Sequence, residues 1–287
     1  MKATKILLLL AFLLTACSPE ITATVQAADS NAPLEVTVSI LPQKYFVERI
    51  GGDNVKVNLL VLPGESPATY EPKAEQMTAL SKSVAYFSIG VPFENAWLEK
   101  IQAANSSMKM VDTTQGIKRA ASGEEGFDPH IWLSPSLVKI QSETIYKALA
   151  ELDPVHANTY KANYETFIKD IDALDADIRA ALNKTKTKKF IVFHPAWGYF
   201  ARDYDLEMIP IEVGGQEPSA QELATIIQKA KDENIKVVFA QPEFSQEDAQ
   251  TIAKEIGGEV ILINPLNADW LNNLKNVADT FAKVLNQ

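Results

Sequence analysis

The chain has 287 residues, and its 37 acidic against 27 basic side chains give a formal charge of -10 at neutral pH. That balance argues against nucleic acid and against charge-driven adhesion to an anionic bilayer. A single cysteine excludes a disulfide framework, only three histidines are present, and the length exceeds what one core usually serves, so two domains are expected.

The first segment reads as a secretory signal. Lys2 and Lys5 precede an apolar run from Ile6 to Leu14, which leads through small residues into Cys17. The run is far shorter than the ~20 residues of a spanning helix. Leu14-Thr15-Ala16-Cys17 resembles the lipobox of bacterial lipoproteins, which implies a signal peptide over 1–16 and lipidation of Cys17; an ordinary signal peptide cut near Ala27 or Ala28 is the alternative. Residues 17–33, rich in Ser, Ala, Thr, Pro and Asn without periodicity, are expected to form a lipidated flexible tether.

From Leu34 onward, strand and helix signals alternate. Strands are expected at 34–40, 55–62, 84–89 and 108–111, with helices at 42–50, 72–81 and 93–103 between them. Short connections and apolar strands are the pattern of a parallel sheet covered on both faces. A Gly, Ser and Glu-rich loop then leads to Asp128-Pro129-His130-Ile131-Trp132-Leu133-Ser134-Pro135, where Ser134 reads as an N-cap and Pro135 as the first residue of a helix toward Ala150. The longest helical signal follows, 154–183, with Tyr160, Tyr164, Phe167, Ile171, Leu174, Ile178 and Leu182 spaced by three and four. Strands at 190–193, 208–211, 237–240 and 260–263, with helices near 195–203, 219–233, 246–256 and 268–285, repeat the first pattern. The fold class is therefore α/β: an N-terminal lobe over 34–153, a connecting helix over 154–186 and a C-terminal lobe over 187–287, each lobe a parallel sheet flanked by helices.

In open parallel sheets, ligands bind beyond the carboxyl ends of strands. His194 follows Phe190-Ile191-Val192-Phe193 directly, and Asn264 follows the last strand in the same way. His130 sits on a stiff connection beside Asp128, which can accept from its second ring nitrogen; such an imidazole suits a metal ligand or a catalytic base, and equally a histidine packed under a loop. His156 reads as a solvated first-turn residue.

Taken together, Pro63-Gly64 followed by Tyr70-Glu71-Pro72, the segment from Asp128 to Pro135, His194 before Tyr199-Phe200, and Asn264-Pro265-Leu266 resemble the metal-binding solute-binding proteins of ABC importers, the zinc and manganese type. The similarity covers nearly everything from Leu34 to Gln287. It implies a rigid helix between the lobes and an interlobe site into which Ala68, His130, His194 and Asn264 point. It also implies a divalent cation, zinc or manganese, as cargo with no organic cofactor. The implied partner is a permease in the cytoplasmic membrane, and the implied protein a monomer that is not an enzyme. Two positions depart from the family pattern: Ala68 stands where it has a histidine, and Asn264 where it usually has an aspartate. The inherited ligand set is thus His130, His194 and the amide oxygen of Asn264, with Asp128 behind His130. Glu65, Glu71 and Glu212 are candidate substitute ligands. The competing reading is a relative whose metal site has decayed and which binds another small ligand or a partner protein. An enzyme is disfavoured because no Ser or Cys nucleophile motif accompanies either histidine.

Attachment to a bacterial membrane, outside the cytoplasm, is expected through Cys17 alone. The exported Cys17→Ala variant should appear in the soluble fraction after a high-salt wash, and its retention on membranes would contradict this.

Overall fold

The computed structural model describes residues 32–122, 126–212, 218–244 and 246–286; the signal segment, Cys17 and most of the tether lie outside the described residues. Residues Pro33–Gln287 form one compact unit. The N-terminal half opens with β1 (Leu34–Val38), α1 (Leu41–Gly51), β2 (Val55–Leu59), α2 (Ala74–Leu80), β3 (Ala85–Ser88), α3 (Pro92–Ala104) and β4 (Lys109–Asp112). Proline at the first turn starts α1 and α3 without losing a hydrogen bond, and Gly52, at φ 56°, ends α1 where a side chain would be strained. Gly51 is fixed by packing as well, since a Cβ there would collide with Val55.

The sheet order is β2-β1-β3-β4, all parallel. The loop expected before His130 contains a short antiparallel hairpin, β5 (Ala121–Ser122) and β6 (Gly126–Phe127), too brief to show as alternation in the sequence. A 3-10 turn at 131–133 leads into α4 (Pro135–Leu152), capped as expected by Ser134, whose side chain accepts from the Leu137 N–H at 3.2 Å.

Another 3-10 turn at 154–156 precedes α5 (Ala157–Leu182), whose 26 residues extend about 39 Å at ~1.5 Å per residue. Six of the seven residues of its apolar stripe are buried; Tyr164 is half-buried and stacks on Tyr146 at 5.1 Å. The second sheet comprises β7 (Lys189–Val192), β8 (Glu207–Pro210), β9 (Val237–Ala240) and β10 (Glu259–Leu262), again parallel, in the order β10-β9-β7-β8. Its helices are α6 (Gly198–Asp203), α7 (Ala220–Asp232), α8 (Glu247–Glu255) and α9 (Trp270–Val284).

Both sheets carry the same order, in which the first strand pairs with the second on one side and the third on the other. The chain therefore reverses direction across each sheet between its first and third strands, which opens a crevice at their carboxyl ends. Strand alternation assigns the two faces: Phe190 and Val192 enter one core, while Ile191 and Phe193 enter a second under α7 and α8. The first of these cores is continuous with that of the N-terminal lobe. Helix α5 packs against α1, α4 and α9, and α9 runs beside it: Trp270 meets Phe46 at 5.1 Å in the N-terminal lobe, and Phe281 meets Phe190 at 4.6 Å in the C-terminal one.

Two buried indoles tie the lobes. Trp132 donates Nε1–H to the Pro265 carbonyl at 2.8 Å, and Trp270 donates Nε1–H to the Trp132 carbonyl at 2.7 Å. Both side chains are about 1% exposed, so neither bond is diluted by water. Trp270→Phe keeps most of the apolar contact but leaves the Trp132 carbonyl without that donor, which should cost about 1–3 kcal/mol in urea unfolding. An unchanged midpoint would show that the bond contributes nothing.

Candidate metal site

His130 and His194 arrive from different lobes. The first sits between β6 and α4, where Pro129 and the 3-10 turn restrict the backbone. The second follows β7 at the crevice between β7 and β9. Gln241, just beyond β9 and fully buried, brackets it by accepting from the His194 N–H at 3.2 Å and donating to its carbonyl at 2.7 Å. Phe244 stacks on the His194 ring, with centroids 4.6 Å apart and planes 20° from parallel.

Each imidazole is held from behind by a carboxylate. Nδ1 of His130 lies 2.7 Å from Oδ1 of Asp128, which also accepts the His130 backbone N–H at 3.0 Å. Nδ1 of His194 lies 2.6 Å from Oε2 of Glu212, a residue only 7% exposed. Tyr199 locks the Asp128 segment across the lobes: its hydroxyl accepts from the Ala120 N–H at 2.9 Å and donates to the Asp128 carbonyl at 3.0 Å. Gly198 leaves room for this approach, because a Cβ there would stand 3.1 Å from Oδ2 of Asp128.

A carboxylate only accepts, so each Nδ1 carries the proton and each Nε2 presents a lone pair. The two Nε2 atoms face each other at 3.3 Å. Two bare acceptors repel at that distance unless a proton or cation lies between them. Nitrogens bound to one tetrahedral zinc at ~2.0–2.1 Å are about 3.3–3.4 Å apart. The side chains therefore already hold the bite of a tetrahedral ion. Burial holds the His130 imidazole below the usual histidine range; the bond and charge of Asp128 pull the other way, and the charge of His194 adds to the effect of burial.

The pair lies in a cleft of about 1310 Å³ that Ala68, Asp128, Glu212 and Glu243 also line. Of the positions expected to converge, Ala68, His130 and His194 reach this cleft. Asn264 lines a neighbouring cavity of about 260 Å³, and its side-chain oxygen accepts from the Leu266 N–H at 2.7 Å in a local turn. Glu65 and Glu71 are exposed and do not line the cleft, while Glu212 is engaged by Nδ1 of His194. His156 is occupied by Asp153 at 2.6 Å. Among the described residues, no three His, Cys, Asp or Glu side chains converge as a cage.

Glu243 and Gln241 escaped the sequence reading. Both follow β9, and the same strand-end argument that singled out His194 would have found them in Gln241-Pro242-Glu243-Phe244. Glu243 lines both cavities, its Oε2 is buried without a hydrogen-bond partner, and burial raises its carboxyl above the usual range while a hydrogen bond from its own backbone N–H and the charge of His194 pull it down.

The family described as zinc-uptake complex component A, periplasmic, matches residues 36–284. A crystal structure of ZnuA superposes with a TM-score of 0.86 at 51% identity, covering 88% of this chain and 99% of that one. A ZnuA deletion mutant with zinc bound is 50% identical, with a TM-score of 0.86 over 89% of this chain and 99% of its own. The zinc-binding protein AdcA of Streptococcus pyogenes serotype M3 is 29% identical over 279 residues, 88% of this chain but 54% of AdcA.

The lowered folded-state value of His130 makes the unfolded chain the better proton binder below the ordinary histidine value near ~6.5. Its contribution to stability is present above that value and is lost as pH falls toward the lowered one. Urea unfolding of metal-free protein between pH ~7.5 and ~5.5 should therefore show stability falling by at most about 1.4 kcal/mol per pH unit from this group. The His130→Asn variant should show a shallower slope, and equal slopes would contradict the assignment.

Proposed function

We propose that this chain, which belongs to the family of zinc-uptake complex component A proteins, captures a divalent cation outside the cytoplasm and delivers it to the permease of an ABC importer. The observation that carries this reading is the facing Nε2 pair at 3.3 Å, each ring fixed in the metal-binding tautomer by a carboxylate. Imidazole ligands at a tetrahedral bite favour zinc over manganese, which prefers oxygen-rich octahedral sites. Asp128 and Glu212 orient the rings, and water completes the shell wherever protein does not. No organic cofactor enters this mechanism, and no reaction is catalysed; the work is binding and release.

The family match and the zinc-bound relative support the cargo. A lipid on Cys17 would keep the receptor near the permease, with residues 18–33 as the leash, and a single chain suffices to build the site. A decayed site would have no reason to keep two imidazoles from different lobes in register, each with its own carboxylate.

Calorimetric titration of chelator-stripped protein tests the proposal. The native chain should bind one zinc per molecule, and His194→Ala should weaken binding by at least about 100-fold, or ~2.7 kcal/mol. Ala68→His, which adds an imidazole on the cleft wall, should tighten it. Absence of zinc binding by the native chain, or indifference to His194→Ala, would overturn the reading.

A further inference from the structure

We propose that Glu243 is the third protein ligand of the captured cation, standing in for the histidine that Ala68 does not supply and the carboxylate that Asn264 does not supply. This rests on the capture reading above and adds to it a residue outside the inherited ligand set.

Three independent observations converge on this side chain. Its place in the fold is the crevice between the carboxyl ends of β7 and β9, where His194 emerges from one strand and Glu243 from the other. Its neighbours in sequence already serve His194: Gln241 brackets the backbone and Phe244 stacks on the ring. Its Oε2 is buried in the wall shared by the main cleft and the cavity of Asn264, and it makes no hydrogen bond. A buried carboxylate oxygen without a partner costs free energy unless a cation or a donor meets it. The other acids beside the histidines, Asp128 and Glu212, are engaged on the Nδ1 side.

Charge points the same way. Two neutral imidazoles bring no charge into contact with the ion, and Asp128 and Glu212 act on it only through the rings, whereas a carboxylate ligand places a negative charge directly against it. The two histidines and Glu243 would form a two-nitrogen, one-oxygen set with a fourth position open to water, a combination that zinc accepts. Pro242 restricts the backbone before Glu243, so the carboxylate reaches the ion by turning about its own side-chain torsions.

The test compares chelator-stripped native protein, Glu243→Gln and Glu65→Gln by calorimetric titration with zinc chloride, together with urea unfolding of each without metal. Glu243→Gln should weaken zinc binding by at least about tenfold, while Glu65→Gln, on the exposed loop, should match the native chain. Metal-free Glu243→Gln should be at least as stable as the native protein, because it removes an unpaired buried charge; a simple structural defect would lower stability instead. Zinc-edge X-ray absorption of the loaded native protein needs no variant and should show two imidazoles with one carboxylate oxygen. If the native chain binds zinc and Glu243→Gln binds it equally, or the absorption spectrum shows imidazole and water alone, Glu243 is not a ligand and the capture reading stands. If the native chain binds no zinc, the capture reading fails, and this one with it.

Discussion

Two buried indole bonds, Trp132 to the Pro265 carbonyl and Trp270 to the Trp132 carbonyl, set the relation between the lobes on which the site depends. Trp132 lies two residues after His130, and its indole reaches Pro265 at the end of the last strand. Trp270 starts α9 and returns a bond to the Trp132 carbonyl. A polar tie of this kind, sealed inside apolar packing, is intolerant of displacement, since any slippage leaves buried donors and acceptors unmatched. The position of His130 relative to the C-terminal sheet is thus inherited from two buried indoles.

The two sheets share a strand order but use their crevices differently. In the N-terminal lobe, the buried carboxylate of Glu94 fills the opening between β1 and β3, accepting from the backbone N–H of Gly90 at 2.7 Å and of Ile89 at 3.0 Å, with Ser39 beside it. Burial raises that carboxyl above its usual range, while Ser39 and the backbone donors work against the rise. In the C-terminal lobe the equivalent opening holds His194, bracketed by Gln241 and flanked by Glu243. One crevice is closed by the protein's own acid, and the other opens onto the cleft that holds the histidine pair.

Element positions were largely legible because period and punctuation agree here. The α5 stripe, the Ser134-Pro135 cap and the apolar strands each carry a local signal that tertiary packing reinforces. His130 and His194 were legible as strand-end residues in a histidine-poor chain, although their bite of 3.3 Å depends on lobe placement that no local pattern encodes. Three features were not readable. The β5 and β6 hairpin is too short for alternation to register. Helix α9, grouped by sequence order with the C-terminal lobe, begins among Tyr45 and Phe46 of the N-terminal lobe and Phe167 of α5, and amphipathicity cannot say which neighbour a stripe meets. Glu243 follows β9 as His194 follows β7, so strand-end position marks it as a candidate, but its buried, partnerless oxygen is a property of the folded chain alone.

The core shared by the lobes has a kinetic consequence. Receptors that close on cargo by hinging can release it by reopening, so one rigid-body step sets the residence time. Here α5 and α9 run side by side through packing common to both halves, and wide opening would expose a continuous apolar interior. For an ion held at the proposed site, release without such opening would be an exchange of ligands one at a time through the mouth of the cleft. On that proposal, the dwell time of the cargo would follow its most exchangeable ligand rather than domain motion.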